Sequence, residues 1–201
     1  SQTNFAGGER AGELGGEIFR GDCLFPERLA YYGDRVDALK LDKPLQASGK
    51  VSMRRGISDS TILLGFFHSK HSIAVAEKPP VTGFPANMLG VAIEGPSREG
   101  FLFYPVYHLS NGAAEFARDT SELPHILPDG ESHQWSLDYT PPTGARPGRL
   151  QAALDKRASS LEIVAIPQES AEFDRFGIVT TWIDGNSQRV YFDDLSYTFR
   201  Q

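Results

Sequence analysis

From His133 to Phe199 the chain sets apolar against polar positions in five short segments: HQWSLDYTPP, GRLQAALDKR, SLEIVAI, RFGIVTTWID and QRVYFDDLSYTF. A period of two, broken by turn residues at this spacing, marks half-buried β-strands. Upstream, GELGGEIFRG (12–21) reads as a first strand whose Gly-Gly pair marks a bulge or a close backbone approach. SGKVSMRRG (48–56) alternates, while STILLGFFHS (60–69) is apolar almost throughout, which suits a central strand covered on both faces. NMLGVAIEG (87–95) and GFLFYPVYHL (100–109) flank a turn and predict a hairpin. Three stretches are expected to be irregular: 22–48, 70–87 and 110–131. In the first, YYGDR reads as a loop, with a short helical turn near Glu27–Tyr31. Long loops inside compact domains are often functional.

The count comes to about ten or eleven strands with no βαβ alternation, which excludes a doubly wound α/β protein and predicts two packed antiparallel sheets. The expected organisation is one all-β sandwich domain over 13–201, preceded by a linker or cut end at 1–12. Neither heptads nor internal repeats occur. A formal charge of -6 removes a global basic field, so nucleic acid is not an expected partner. A single cysteine, Cys23, excludes an intrachain disulfide and a cysteine-based zinc site. No apolar run is long enough for a membrane-spanning helix.

Three stretches carry a resemblance: Trp135–Pro141 (WSLDYTP), Gly148–Asp155 (GRLQAALD) and Val190–Tyr197 (VYFDDLSY). In this order they resemble the concanavalin A-like and laminin-G-like jelly rolls, and the closing Phe-Asp-Asp-Leu is similar to the last strand of β-sandwich carbohydrate-binding modules. The resemblance implies a jelly roll that binds a polysaccharide or oligosaccharide, as part of a larger extracellular or periplasmic protein with neighbouring domains. It also implies a structural calcium held by an aspartate of the last strand and an acid of the first, here Asp193 and Asp194 with Glu13 or Glu17. Adjacent strand residues point to opposite faces, so one of the two aspartates turns inward, where a charge needs a partner. Calcium takes six to eight oxygens. A backbone-capped or arginine-paired aspartate is the other reading.

Sugar rings stack on aromatic side chains, and the hairpin sorts its aromatics by face. Phe101, Phe103 and Tyr107 share one face, Tyr104, Val106 and His108 the other. The second set is more polar and is the candidate ligand face, together with Glu94, Arg55, His68 and Trp182; the alternative is that these aromatics fill a core. His68 and His71, three apart in HSKHS, can approach a metal only if their loop forms a helical turn; a solvated loop pair is the expected reading, and zinc is not expected. No HExxH motif, no GxSxG and no clustered acidic signature of jelly-roll glucanases occurs, and ESAEFD (169–174) reads as a loop. No catalytic residue is assigned. Three readings stay open: a glycan-binding module, a glycoside hydrolase or polysaccharide lyase of the same fold, and a structural or interaction domain.

Overall fold

The computed structural model of the protein describes residues 3–10, 12–18, 31–56, 60–72, 84–97, 100–110, 112–116, 122–163, 171–181 and 188–201. Cys23, the expected helical turn before Tyr31 and Trp182 lie outside the described residues, as does most of the 70–87 loop. The strands run in chain order as β1 (Leu14–Ile18), β2 (Tyr31–Lys40), β3 (Leu45–Gly56), β4 (Ser60–Phe67), β5 (Met88–Ser97) and β6 (Gly100–His108). They continue as β7 (Ala114–Phe116), β8 (His125–Ile126), β9 (Ser132–Thr140), β10 (Gly148–Leu154), β11 (Arg157–Ile163), β12 (Glu172–Thr180) and β13 (Gln188–Tyr197).

Two antiparallel sheets pack face to face, so the expected all-β jelly-roll sandwich is the fold found. One has six strands ordered β1-β13-β3-β9-β10-β11; the other has seven, β2-β12-β4-β5-β6-β7, with β8 against β6. Inward positions of both sheets form one core: Leu45, Val51, Leu137, Leu150 and Phe192 face Ile62, Phe66, Val91, Phe103 and Ile178. Each such side chain contributes on the order of 1.5–3 kcal/mol by leaving water. Trp135 sits in this core with its ring edge-on to Phe192 at 6.4 Å. Tyr139 is buried there too, its hydroxyl donating to the Leu41 carbonyl at 2.7 Å, and burial pushes its pKa well up.

Three expectations change. YYGDR opens β2, a ten-residue strand, instead of forming a loop. Its pairing with β12 skips residues between Arg35 and Leu39, and this irregularity at a sheet edge erases the clean period of two. The excursion at 110–131 contributes the short strands β7 and β8, which brings the described strands to thirteen. Glu172, Phe173 and Asp174 of ESAEFD open β12, where Phe173 is a core residue, so that end of the motif is no loop.

The seven-stranded sheet is covered on its outer face as well. Leu63 and Phe67 of β4, Met88 and Ala92 of β5, Leu102, Tyr104 and Val106 of β6, and Val179 of β12 form a second apolar cluster with Phe84 and Leu123. Crossing this face is a row of four glycines at facing positions on adjacent strands: Gly33, Gly177, Gly65 and Gly90. Backbones approach so closely that a Cβ on Gly65 would meet the Leu89 carbonyl oxygen at 2.3 Å and the Gly90 Cα at 2.5 Å. A Cβ on Gly177 would lie 2.1 Å from the Tyr32 carbonyl oxygen. Neighbouring side chains lean over the bare row, Phe67 toward Gly33 and Met88 onto Gly90.

Candidate functional site

The outer face of the seven-stranded sheet gathers three of the candidate ligand residues, Glu94, Tyr104 and His108, with His68 at its end. Antiparallel register sets Glu94 beside Thr61 and Leu102, Ala92 beside Tyr104, and Met88 beside His108. The hairpin aromatics therefore divide between faces as their alternation requires: Phe101, Phe103 and Tyr107 in the core, Tyr104 and Val106 in the outer cluster.

That outer face is less open than expected. Tyr104 is only 1% exposed, because Phe84 and Leu123 lie over the cluster it belongs to. Its hydroxyl donates to the Glu94 carboxylate, which is half-buried and marks where a polar group stands at the edge of this apolar floor. His108, four strand residues away and so about 13 Å along β6, is half-buried, its Nδ1 3.0 Å from the Phe84 carbonyl oxygen. A carbonyl can only accept, so Nδ1 is the donor in this bond.

His68 stands at the His108 end of the sheet. The Ser72 amide donates to the His68 carbonyl at 2.9 Å, closing one helical turn that stacks the His68 and His71 rings at 4.1 Å. Two anchors hold this turn. Ser72 donates to the Asn87 carbonyl at 2.8 Å. Ser69 donates to Asp174 through its amide and its hydroxyl, each at 2.7 Å. Burial acts to raise the Asp174 carboxyl, but the two Ser69 bonds and the Arg175 guanidinium outweigh it and hold the group below the usual carboxylate range. Asp174, Arg175 and Ser69 were missed by sequence reasoning, because ESAEFD shows neither a clean alternation nor a turn signal.

Arg55 does not join this face. It lies on β3 in the six-stranded sheet, opposite Arg189, with its nearest carboxylate Glu17 at 3.9 Å. Sheet membership is a tertiary property that strand alternation alone does not reveal.

Three of the four acids expected to hold a metal, Glu13, Asp193 and Asp194, surround an N-terminal arm, residues 3–10. Asp193 is 8% exposed and Glu13 7%, and the β1–β13 register brings them to neighbouring positions. Glu13 accepts from the Thr3 hydroxyl and, at 2.8 Å, from the Ala6 amide. Asp194, at φ 48°, sits at an irregularity in the β13–β3 pairing, which turns it out to solvent although alternation from the core residue Phe192 would place it inward. It takes the Glu9 amide at 2.9 Å and the Lys50 ammonium at 2.9 Å, and that ammonium also donates to the Gly7 carbonyl at 2.8 Å. The bond to Asp194 raises the Lys50 pKa, while Lys50 and the Glu9 amide lower that of Asp194. Glu17 stands apart, bound to Arg189 at 3.2 Å. Phe5 completes the arm, packing on Tyr191 at 4.8 Å beneath the Arg54 guanidinium at 4.2 Å. A divalent cation fits this set in one respect: Asp193 Oδ2 is buried without a hydrogen-bond donor. Among the described residues, no group of three or more His, Cys, Asp or Glu side chains converges on one point.

No protein-family model matches the chain. No curated protein matches it. Solved structures do. A double mutant of the alginate lyase Aly36B, in complex with an alginate trisaccharide, superposes with a TM-score of 0.53 and 14% identity, covering 86% of this chain and 75% of that one. The carbohydrate recognition domain of Emp47p superposes with a TM-score of 0.52 and 9% identity, covering 87% and 80%. At such identities the likeness is one of fold: the chain shares the two-sheet jelly-roll sandwich of these proteins.

Proposed function

We propose that this concanavalin A-like jelly roll binds a polysaccharide or oligosaccharide on the outer face of its seven-stranded sheet, as a non-catalytic module of a larger extracellular or periplasmic protein. The observation that carries the reading is the Glu94–Tyr104 pair: a half-buried carboxylate oriented by a buried phenol of the outer apolar cluster. A polar group locked on rigid strands loses little entropy when it meets a sugar hydroxyl. Two proteins of the same fold add support, one solved with an alginate trisaccharide and one described as a carbohydrate recognition domain.

Titration calorimetry with alginate oligosaccharides and a panel of neutral oligosaccharides tests this. Glu94→Gln removes a charged acceptor worth about 1.5–3 kcal/mol, so affinity should fall about tenfold or more with the melting temperature unchanged. Equal affinity of the variant would overturn the assignment of Glu94. The second reading is a polysaccharide lyase, favoured by the same pair, because a phenol bonded to a carboxylate can pass a proton. Unsaturated products from any polymer of the panel would establish it in place of the binding module.

Calcium at the arm is a second proposal. Glu13, Asp193 and carbonyls of the arm would hold it, satisfying Asp193 Oδ2, while Asp194 continues to serve Lys50. Chelation with EDTA should then lower the melting temperature and calcium should restore it, since a ligand of the native state alone stabilises it. An unchanged melting temperature would leave Lys50 as the arm's cation.

A further inference from the structure

We infer that the opposite sheet carries a second, independent binding site for a neutral oligosaccharide, in a cleft on the outer face of the six-stranded sheet. The cleft has a volume of about 420 Å³ and is lined by Gln46, Ser48, Ser136, Asp138, Ser196 and Tyr197. That volume falls within the range of small-molecule sites, roughly 300–1,000 Å³.

Its construction follows from register. Ser196 of β13 faces Ser48 of β3, which faces Ser136 of β9, so three short hydroxyl side chains stand in line across three strands, over about 10 Å. The next row along the strands holds Gln46 and Asp138, again facing one another. Asp138 is the centre of the polar array. Its Oδ1 accepts from Gln46 Nε2 at 3.1 Å and its Oδ2 from the Ser136 hydroxyl at 3.3 Å. An ionised carboxylate offers about four acceptor positions, so two remain for a ligand. Thr198 locks the far side, its amide donating to the Gln46 carbonyl at 2.9 Å and its hydroxyl accepting from the Gln46 amide at 3.0 Å. Tyr197 is equally fixed: its ring stacks on Phe176 at 4.2 Å and its hydroxyl donates to Asp34 at 2.6 Å.

The chemistry of the lining selects the ligand class. Hydroxyls, one amide and one carboxylate suit a molecule rich in hydroxyl groups that both donate and accept. No lysine or arginine lines the cleft and its one charge is negative, which disfavours a uronate or a sulfated sugar. Exposed aromatics flank the same edge of the sandwich. Tyr32, which shares its side of β2 with Asp34, is 64% exposed, and Phe199, just beyond Thr198, is 53% exposed. Both are surfaces on which a sugar ring can rest.

The test uses the whole chain in titration calorimetry with cellohexaose, xylohexaose and mannohexaose. At least one should bind the wild type, and Ser48→Phe, which fills the cleft from an exposed strand position, should weaken it about tenfold or more. Asp138→Asn keeps the shape of the cleft and should weaken the same ligand several-fold. In the Glu94→Gln background one site per chain should remain for that ligand and should be lost with Ser48→Phe, which separates this site from the one on the seven-stranded sheet. Binding that is unaffected by Ser48→Phe, or abolished by Glu94→Gln, overturns the inference, as does the failure of all three neutral hexasaccharides to bind the wild type.

Discussion

Gly65→Ala should yield a protein that is unfolded, or destabilised by more than about 3 kcal/mol, in urea denaturation followed by circular dichroism. The added methyl has nowhere to go. Its two nearest neighbours, at 2.3 and 2.5 Å, are backbone atoms of the adjoining strand. A side chain can rotate away from a clash of this kind, but a central strand cannot move without breaking its ladder on both flanks. Overpacking a core ordinarily costs about 1–3 kcal/mol, and this is the case in which no rotamer change gives relief. Because domains are stable by only about 5–15 kcal/mol, the loss is a large share of the whole. Gly144→Ala makes the control: its φ is +59° but nothing lies within 4 Å, so only the left-handed backbone penalty of about 1–2 kcal/mol applies. If the two variants unfolded at the same urea concentration, the glycine row would not be the constraint described here.

The second large effect belongs to Phe67→Ala, for which a cost of about 3–5 kcal/mol is expected. Phe67 is fully buried, yet it lies on the outer side of its sheet. Its ring reaches across β12 to Gly33, where a Cβ would touch it at 3.0 Å. Truncation removes the ring that covers the glycine row and leaves a void between Leu63, Met88 and Val179. A change in urea midpoint corresponding to less than about 1 kcal/mol would show that the outer cluster contributes little, and that the sandwich depends on its inner core alone.

These two residues also explain what could be read from the chain. STILLGFF lacks alternation because β4 has apolar partners on both sides, and the reading of a doubly covered central strand follows directly. Each of the last five segments is a strand, and those of β9, β10 and β11 alternate because their outer faces meet water. β12 and β13 are covered outside by the second apolar cluster and by the N-terminal arm. YYGDR was not legible as β2, since an irregular edge strand mixes exposed and buried residues on both of its faces. At the candidate site, periodicity separates Tyr104 from Phe103 correctly. It carries no information on what lies above Tyr104, because Phe84 and Leu123 come from connections whose placement depends on the finished fold. Arg55 illustrates the same limit, since its strand pattern is sound and its sheet is the other one. That one of Asp193 and Asp194 would be buried was legible, whereas the choice of Asp193, of Glu13 over Glu17 and of the Lys50 ammonium beside them was not, since it rests on the irregularity of β13 and on the path of the N-terminal arm.

The strand order of the six-stranded sheet governs how the molecule comes into being. β13 is inserted between β1 and β3, so that Leu14 finds its partner in Phe192 and Val51 finds the same residue from the other side. Pairings this distant in the chain make folding slow, and at about 5–20 residues per second β13 is made well after β1 and β3. Until β13 is made, β1 has no neighbour at all and β3 presents an open edge, the arrangement that invites pairing with a second copy. The nascent protein therefore passes through a stage in which its seven-stranded sheet is also short of β12, and both halves of the sandwich mature together once β12 and β13 have been made.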